Sequence, residues 1–422
     1  MSGSRFDSAE TSGTAALLQQ MCLRSSEFKN GIAQLGCKVH VHTDREIQGI
    51  TLAVFNDKAH DAVNLLLKVF SRDLVLDKNG FEGEKEILHR RGLEQQRDMM
   101  EQTYSNLYET TFEDHTMGLP LLGLRDNAQN LTLSEVEKHR DRTFIGSRMA
   151  LVISGNPSNA QSTFESAQNS LSNVPSEATI PGNSFNEVSS EKPLLTSTVM
   201  AVRDDEMSNL NVAVSYLTEK YGNENHFFYQ FYTELVGNYN ANEEGVAHLN
   251  SSDRQYNNSH FFLGETPGIN LFNTKYTGFS DGGLFTNFIH GHEVWGDAML
   301  YMGQYFNTEF TKQITSSEIF RARARVFNNL LRNSRVSAKN NLDIGKDLIY
   351  RGRRVGRNET AKRISALADS SHVQKKAKHL FYDKDIALIA YGPQHMIDEK
   401  LYFGRDMRKS TLHSSLLRFS IF

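Results

Sequence analysis

Apolar residues recur along this chain with two periods, and the switches between them mark out its elements. Glu46–Val54 (EIQGITLAV) reads as a strand, and Asn56-Asp57 then caps a helix. In that helix Ala62, Leu65, Leu66, Val69 and Phe70 fall at i, i+3, i+4, i+7 and i+8, one apolar face. Leu133–Phe144 has a helix pattern that leads into a short buried strand over Arg148–Asn156, halted at Gly155. A further helix is expected around Ala160–Ser170. Towards the other end, the helix pattern Val373–Phe381 leads into a strand over Asp385–Pro393.

These two stretches repeat each other. Ala150 and Ala387 lie 237 residues apart, and so do Gly155 and Gly392. The same shift carries Glu46–Val54 onto Gly283–Gly291 (GLFTNFIHG), followed by a helix with Met299, Met302 and Phe306. A shared offset of this length indicates a duplicated domain, not a short-period solenoid. Ser, Asn and Pro gather after Asn156, so residues 171–193 read as a linker between a domain over 1–170 and one over 194–422. The expected fold class is α+β: two homologous domains, each a mixed β-sheet with helices packed mainly on one face.

Composition narrows the function classes. With 39% hydrophobic residues and 29 glycines among 422, the chain is neither disordered, collagen-like nor a polytopic membrane protein. Its 46 Lys+Arg against 50 Asp+Glu leave no basic field to draw it onto nucleic acid. The two cysteines, Cys22 and Cys37, build neither a zinc cluster nor a disulfide scaffold, and they point to a reducing compartment. No C-x-x-C-H or cysteine cluster is present to hold haem or iron–sulfur, so no cofactor is expected. No run approaches 18 apolar residues, so membrane association would come only through partners. Met1–Asp7 matches neither a signal core nor an Arg-rich transit peptide.

Several local patterns are better read as structure than as chemistry. His40 and His42 alternate on a strand and share a face, but no third ligand stands at a matching position. His290-Gly-His292-Glu293 is similarly short of ligands. The aromatic run His226–Tyr232 has helix spacing, with Phe227, Phe231 and Leu235 on one side as a core face. Asp281-Gly-Gly283 reads as a turn, and the basic run Tyr350–Arg357, with Lys346 before it, reads as a solvated loop or, alternatively, as a surface for an acidic partner.

Gly13–Ser26 (GTAALLQQMCLRSS) predicts a helix, followed by Gly31–Glu46 (GIAQLGCKVHVHTDRE). This run resembles the pitrilysin-type, inverted-zincin metallopeptidases, on the branch of the mitochondrial processing peptidase β subunit and complex III core protein 1. Further marks follow in order along the whole chain: Thr116–Gly123, Val202–Asp205, Leu235–Asn238, Asn273–Thr277, Gly282–Phe285, Asp343–Gly345 and Arg353-Arg354. In that family a strand precedes the segment matched here by Gly3-Ser-Arg5, so the first domain is expected to lack an edge element.

The resemblance also shows what is missing. The family's H-x-x-E-H helix offers two imidazoles to zinc and a glutamate base, and a downstream glutamate completes the ligand set. On the matching positions this chain has Ala16, Gln19 and Gln20, with Arg90, or Arg91 after a one-residue slip, downstream. A methyl, two amides and a guanidinium neither bind a dication nor take a proton near neutral pH. The resemblance therefore implies no catalytic residues and no bound metal. It implies a non-catalytic, matrix-facing subunit of the inner-membrane respiratory complex III, of core 1 type. The implied partners are a core protein 2-like (α-type) subunit, cytochrome b and cytochrome c1. Active family members add an extended substrate to an edge strand, matched here by Val39, His40, Val41, His42 and Thr43. The alternatives are a β-type processing peptidase subunit and an inactive peptide-holding partner of that enzyme.

Overall fold

Helix α1 (Thr14–Arg24) runs into α2 (Ser26–Leu35) through Ser25, whose hydroxyl accepts from the Phe28 N–H and caps the second helix. Gly36, left-handed at φ 59°, ends α2 and turns the chain into β1 (Lys38–Thr43). β1 pairs antiparallel with β2 (Gln48–Ala53), Val41 opposite Ile50. Helices α3 (Ala59–Val69) and α4 (Phe81–Arg97) follow. The computed structural model describes residues 1–71, 74–113, 115–124, 127–155, 160–172, 174, 193, 197–241, 258–263, 268–397 and 407–411.

Two compact units result, and neither is contiguous in sequence. The first comprises Met1–Arg97, Asp114–Glu191 and Arg332–Val355; the second comprises Asp98–Glu113, Lys192–Leu331 and Gly356–Phe422. Each unit thus includes one helical segment from the other half of the chain. Most of the expected linker 171–193 lies outside the described residues; Leu171 and Ser172 end the helix Ala160–Ser172.

The first unit is held by a core of α1, α2, α3, α4 and the helix Leu133–Thr143. Leu17, Leu18, Cys22, Val69, Leu88 and Val136 are almost wholly buried in it. Thr132 starts the last of these helices with a capping box to Glu135. Helix Ser337–Arg351 packs across β2. The strand expected over 148–156 does not form. Residues 149–154 belong to no ladder, and Ala150 and Ile153 are exposed; no described strand lies alongside to bond them.

The second unit is built on a seven-stranded mixed sheet in the order β5-β6-β7-β4-β8-β3-β9. Its strands are β3 (Thr198–Arg203), β4 (Leu210–Thr218), β5 (Tyr239–Asn240), β6 (Ile269–Gly278), β7 (Gly283–Gly291), β8 (Ile386–Gly392) and β9 (Met407–Thr411). β3 runs parallel to β8 and β9, and every other pairing is antiparallel. β4 and β8 are central and buried along almost their whole length because both their faces are covered. Phe228, Tyr232, Phe285 and Phe381 stack on one face, with ring centroids 5.0–5.7 Å apart. Helix Met99–Thr111 covers the other, with Tyr104 and Leu107 against Ala213, Phe288 and Ile389.

Candidate functional site

Helix α1 begins at Gly13, which is left-handed at φ 103°. Its N–H and that of Ala15 donate to the Asp7 carboxyl group at 3.0 and 3.1 Å. An acidic side chain on the first N–H groups fixes the start of the helix. Ala16, Gln19 and Gln20 then share one buried face at i, i+3 and i+4.

The two glutamines are bonded on all sides. Gln19 Oε1 accepts from Thr43 Oγ1 at 2.5 Å, and its Nε2 donates to the His42 carbonyl at 3.2 Å, tying α1 to the end of β1. Gln20 Nε2 donates to the Glu84 carbonyl at 2.8 Å and to Glu84 Oε2 at 2.6 Å. Gln20 Oε1 accepts from Arg91 at 3.3 Å, and Arg24 pairs with Glu84 Oε1 at 2.7 Å. Arg91, not Arg90, therefore faces the helix: Arg90 is 65% exposed and pairs with Glu86.

This donor set does not fit the family's zinc ion. It offers one carboxylate paired with the Arg24 guanidinium, a second guanidinium bonded to Gln20, a methyl group and two amides. Glu84 is already neutralised, Arg91 opposes a dication, and neither amide takes a proton from water. Among the described residues no three His, Cys, Asp or Glu side chains lie close enough together to hold a metal ion.

The other residues singled out in the sequence are dispersed. His40 is exposed on β1, and His42 Nε2 bonds Asp44 Oδ2 at 3.0 Å. Asp44 also takes Lys346 Nζ at 3.0 Å and the N–H groups of Glu46 and Ile47. Burial opposes its charge, but His42, Lys346 and the Ile47 N–H outweigh it and hold the carboxyl group well below the usual range. His290 Nδ1 bonds Asn211 Oδ1, and His292 Nδ1 accepts from the Val294 N–H. Cys22 is fully buried, and burial pushes its thiol up to about 12. Val39, His40, Val41, His42 and Thr43 lie together on β1, which pairs only with β2 among the described strands.

Sequence reasoning missed one buried group, because its members are far apart in the chain. Ser2 Oγ lies 3.2 Å from His139 Nε2, and His139 Nδ1 lies 3.4 Å from Asp7 Oδ1. The order is that of a nucleophile–base–acid triad, yet the surroundings disable it. The hydroxyl also bonds Thr143 Oγ1 at 2.9 Å. The Ser2 and Gly3 N–H groups both point at the Glu46 carbonyl, so neither serves an oxyanion. Burial and then Arg142 press His139 down to about 3, too low for a base. Burial raises Asp7 to about 8 against the N–H bonds of Gly13 and Ala15.

Residues 1–125 match the family model described as Insulinase (Peptidase family M16). The chain is 23% identical over 397 residues to the mitochondrial-processing peptidase subunit beta of Neurospora crassa, covering 92% of this chain and 81% of that one. It is 22% identical over 412 residues to the cytochrome b-c1 complex subunit 1 of Rattus norvegicus, covering 94% and 81%. A chain of complex III2 from Candida albicans superposes with a TM-score of 0.80 at 19% identity, over 95% of this chain and 91% of that one. An M16 inactive domain from Pseudomonas fluorescens gives 0.73 at 12% identity, covering 93% and 91%. The two-domain α+β fold of this family is thereby shared along the chain.

Proposed function

From the premise that this chain is an M16-type relative of the processing peptidase β subunits and complex III core protein 1, we propose that it is a non-catalytic core subunit. In this reading it is a peripheral, matrix-facing part of mitochondrial complex III. It pairs with a core protein 2-like subunit and docks on the cytochrome b and cytochrome c1 subunits without a redox centre of its own. The observation that carries the reading is the Gln20–Glu84–Arg91 network on the helix that the resemblance aligns with the family's metal-binding helix. A site wired internally by an amide and two guanidiniums leaves assembly as the surviving role. The similarity to the rat cytochrome b-c1 subunit and the Candida complex III chain supports it.

The test is cofractionation. The native protein should comigrate with b- and c-type haems on a native gel; migration free of haem refutes the proposal.

The similarity to processing peptidase β subunits, from Neurospora to Bos taurus, favours a second reading. Here the chain is a β-type subunit of that enzyme, or an inactive partner that holds presequences along β1. Counted from the turn bond between the Asp44 N–H and the Ile47 carbonyl, Val39, Val41 and Thr43 direct their main-chain groups away from β2. An extended peptide can be held there without being cut. Stoichiometric zinc with chelator-sensitive presequence cleavage would select the enzyme. Copurification with a soluble active subunit and no haem would select the holding partner.

A further inference from the structure

The helix Ser316–Arg335 belongs to the second unit as far as Leu331, and one of its faces is fixed there. Glu318, Ile319, Ala322 and Val326 are buried. Arg325 donates to the Glu234 carbonyl at 2.6 Å, and Asn329 Nδ2 donates to Glu234 Oε1 at 2.7 Å. Helix Asn225–Val236, which carries Glu234, thus sets the rotation of Ser316–Arg335 about its axis. At its start the Thr315 N–H donates to Glu318 Oε2 and the Glu318 N–H to Thr315 Oγ1, a capping box.

The opposite side carries a second apolar row. At about 100° per residue, Phe320, Ala324, Phe327 and Leu331 fall within an arc of about 60°, centred about 150° round the helix from the buried row. Phe320 is 70% exposed and Leu331 55%, with Ala324 and Phe327 half-buried between them. The spacing i, i+4, i+7, i+11 is the d-a-d-a row of a heptad, and it puts Arg321 at e and Arg323 at g, one on each side. Phe320, Arg323, Ala324 and Phe327, at i, i+3, i+4 and i+7, outline a hole that the small Ala324 keeps deep. The helix holds five arginines, and its single acidic residue, Glu318, is on the buried side.

We propose that this row is a docking seam for one amphipathic helix of a partner protein, with leucine-like residues facing the seam and glutamates or aspartates beside them. The arginines at e and g select the acidic flanks. A second copy of this chain is a poor occupant, because pairing the row with itself sets arginine against arginine. A lipid surface is a poor one too: a helix lying in it shows an apolar arc of about 100° or more, and here arginines close the arc on both sides. The inference uses no residue of the α1 site and is independent of the function proposed above.

The probe is a labelled three-heptad peptide with leucine at a and d and glutamate at e and g, whose own charges keep it from pairing with itself. Titrated with the full chain, it should bind saturably and more weakly as salt is added. Arg321→Glu with Arg323→Glu should weaken it at least about tenfold and should instead capture the matching peptide with lysine at e and g. That exchange also shows that the variant folds. Phe320→Ser should weaken the acidic peptide by about tenfold or more with little change in thermal midpoint, since the ring is exposed. No binding of the acidic peptide, equal binding of the acidic and basic peptides, or indifference to these variants overturns the proposal. So does a face lost with Phe320→Ser that serves only anionic phosphatidylserine vesicles, or only self-association seen by sedimentation.

Discussion

Gln20 Nε2 sits 2.6 Å from Glu84 Oε2, and the same amide accepts from Arg91 through its oxygen. One uncharged side chain thus bonds a carboxylate and a guanidinium at a position that the sequence resemblance aligns with a metal-binding imidazole. Rebuilding the H-x-x-E-H pattern with Ala16→His, Gln19→Glu and Gln20→His leaves Arg91 aimed at the ion. That triple variant should bind zinc at least about tenfold more weakly than the one that also carries Arg91→Glu, as one opposing charge easily supplies 1.4 kcal/mol. Titration calorimetry with zinc compares them; equal affinities would mean that Arg91 is not what opposes the metal.

Arg5 and Glu46 form an ion pair at 2.5 Å with side chains only 1% and 0% exposed. Breaking one side, as in Glu46→Gln or Arg5→Met, takes this pairing away from a buried charge and should cost about 3–5 kcal/mol. Replacing both with apolar residues should recover most of that loss. Chemical denaturation of the two single variants and the double variant measures the coupling.

The Ser2–His139–Asp7 group predicts opposite pH slopes for two variants. His139 titrates near 6.5 when free and near 3 when folded, so its contribution is whole above 6.5 and fades as the pH falls towards 3. Asp7 is raised from 3.8 to about 8, so its contribution is whole below about 3.8 and fades as the pH rises to 8. Asp7→Asn should therefore gain stability as the pH climbs from 4 to 6.5. His139→Gln should lose it over the same range, and the parent should stay nearly flat. Thermal midpoints across that range check the three curves.

Gly123 has a positive φ of 86°, and a Cβ there would stand 2.4 Å from the Gly13 Cα. Both backbones are committed, because Gly13 opens α1. Gly123→Ala should destabilise the first unit by about 2 kcal/mol or more and lower its melting temperature. An unchanged melting curve would show that the loop carrying Gly123 can give way.

Much of this protein is legible from periodicity. Gly283–Gly291 forms a strand with the bounds that the 237-residue offset from Glu46–Val54 predicts, and the aromatic run His226–Tyr232 packs as a core face. That Ala16, Gln19 and Gln20 share one helix face was readable too, since they fall at i, i+3 and i+4. The downstream residue was not, because a loop of uncertain length separates it from α1, and only packing selects Arg91 over Arg90.

Local pattern, set by side-chain order along the backbone, determined which segments are helices, which are strands, and that one half copies the other. Tertiary structure decided what those segments bond to. It put helix Met99–Thr111 into the second unit and helix Ser337–Arg351 into the first, and it brought Ser2, Asp7 and His139 together. It also left residues 149–155 unladdered, although their sequence matches that of β8. A strand forms only when a neighbour satisfies its N–H and C=O groups, and the presence of a neighbour is a fact of space that no single segment encodes.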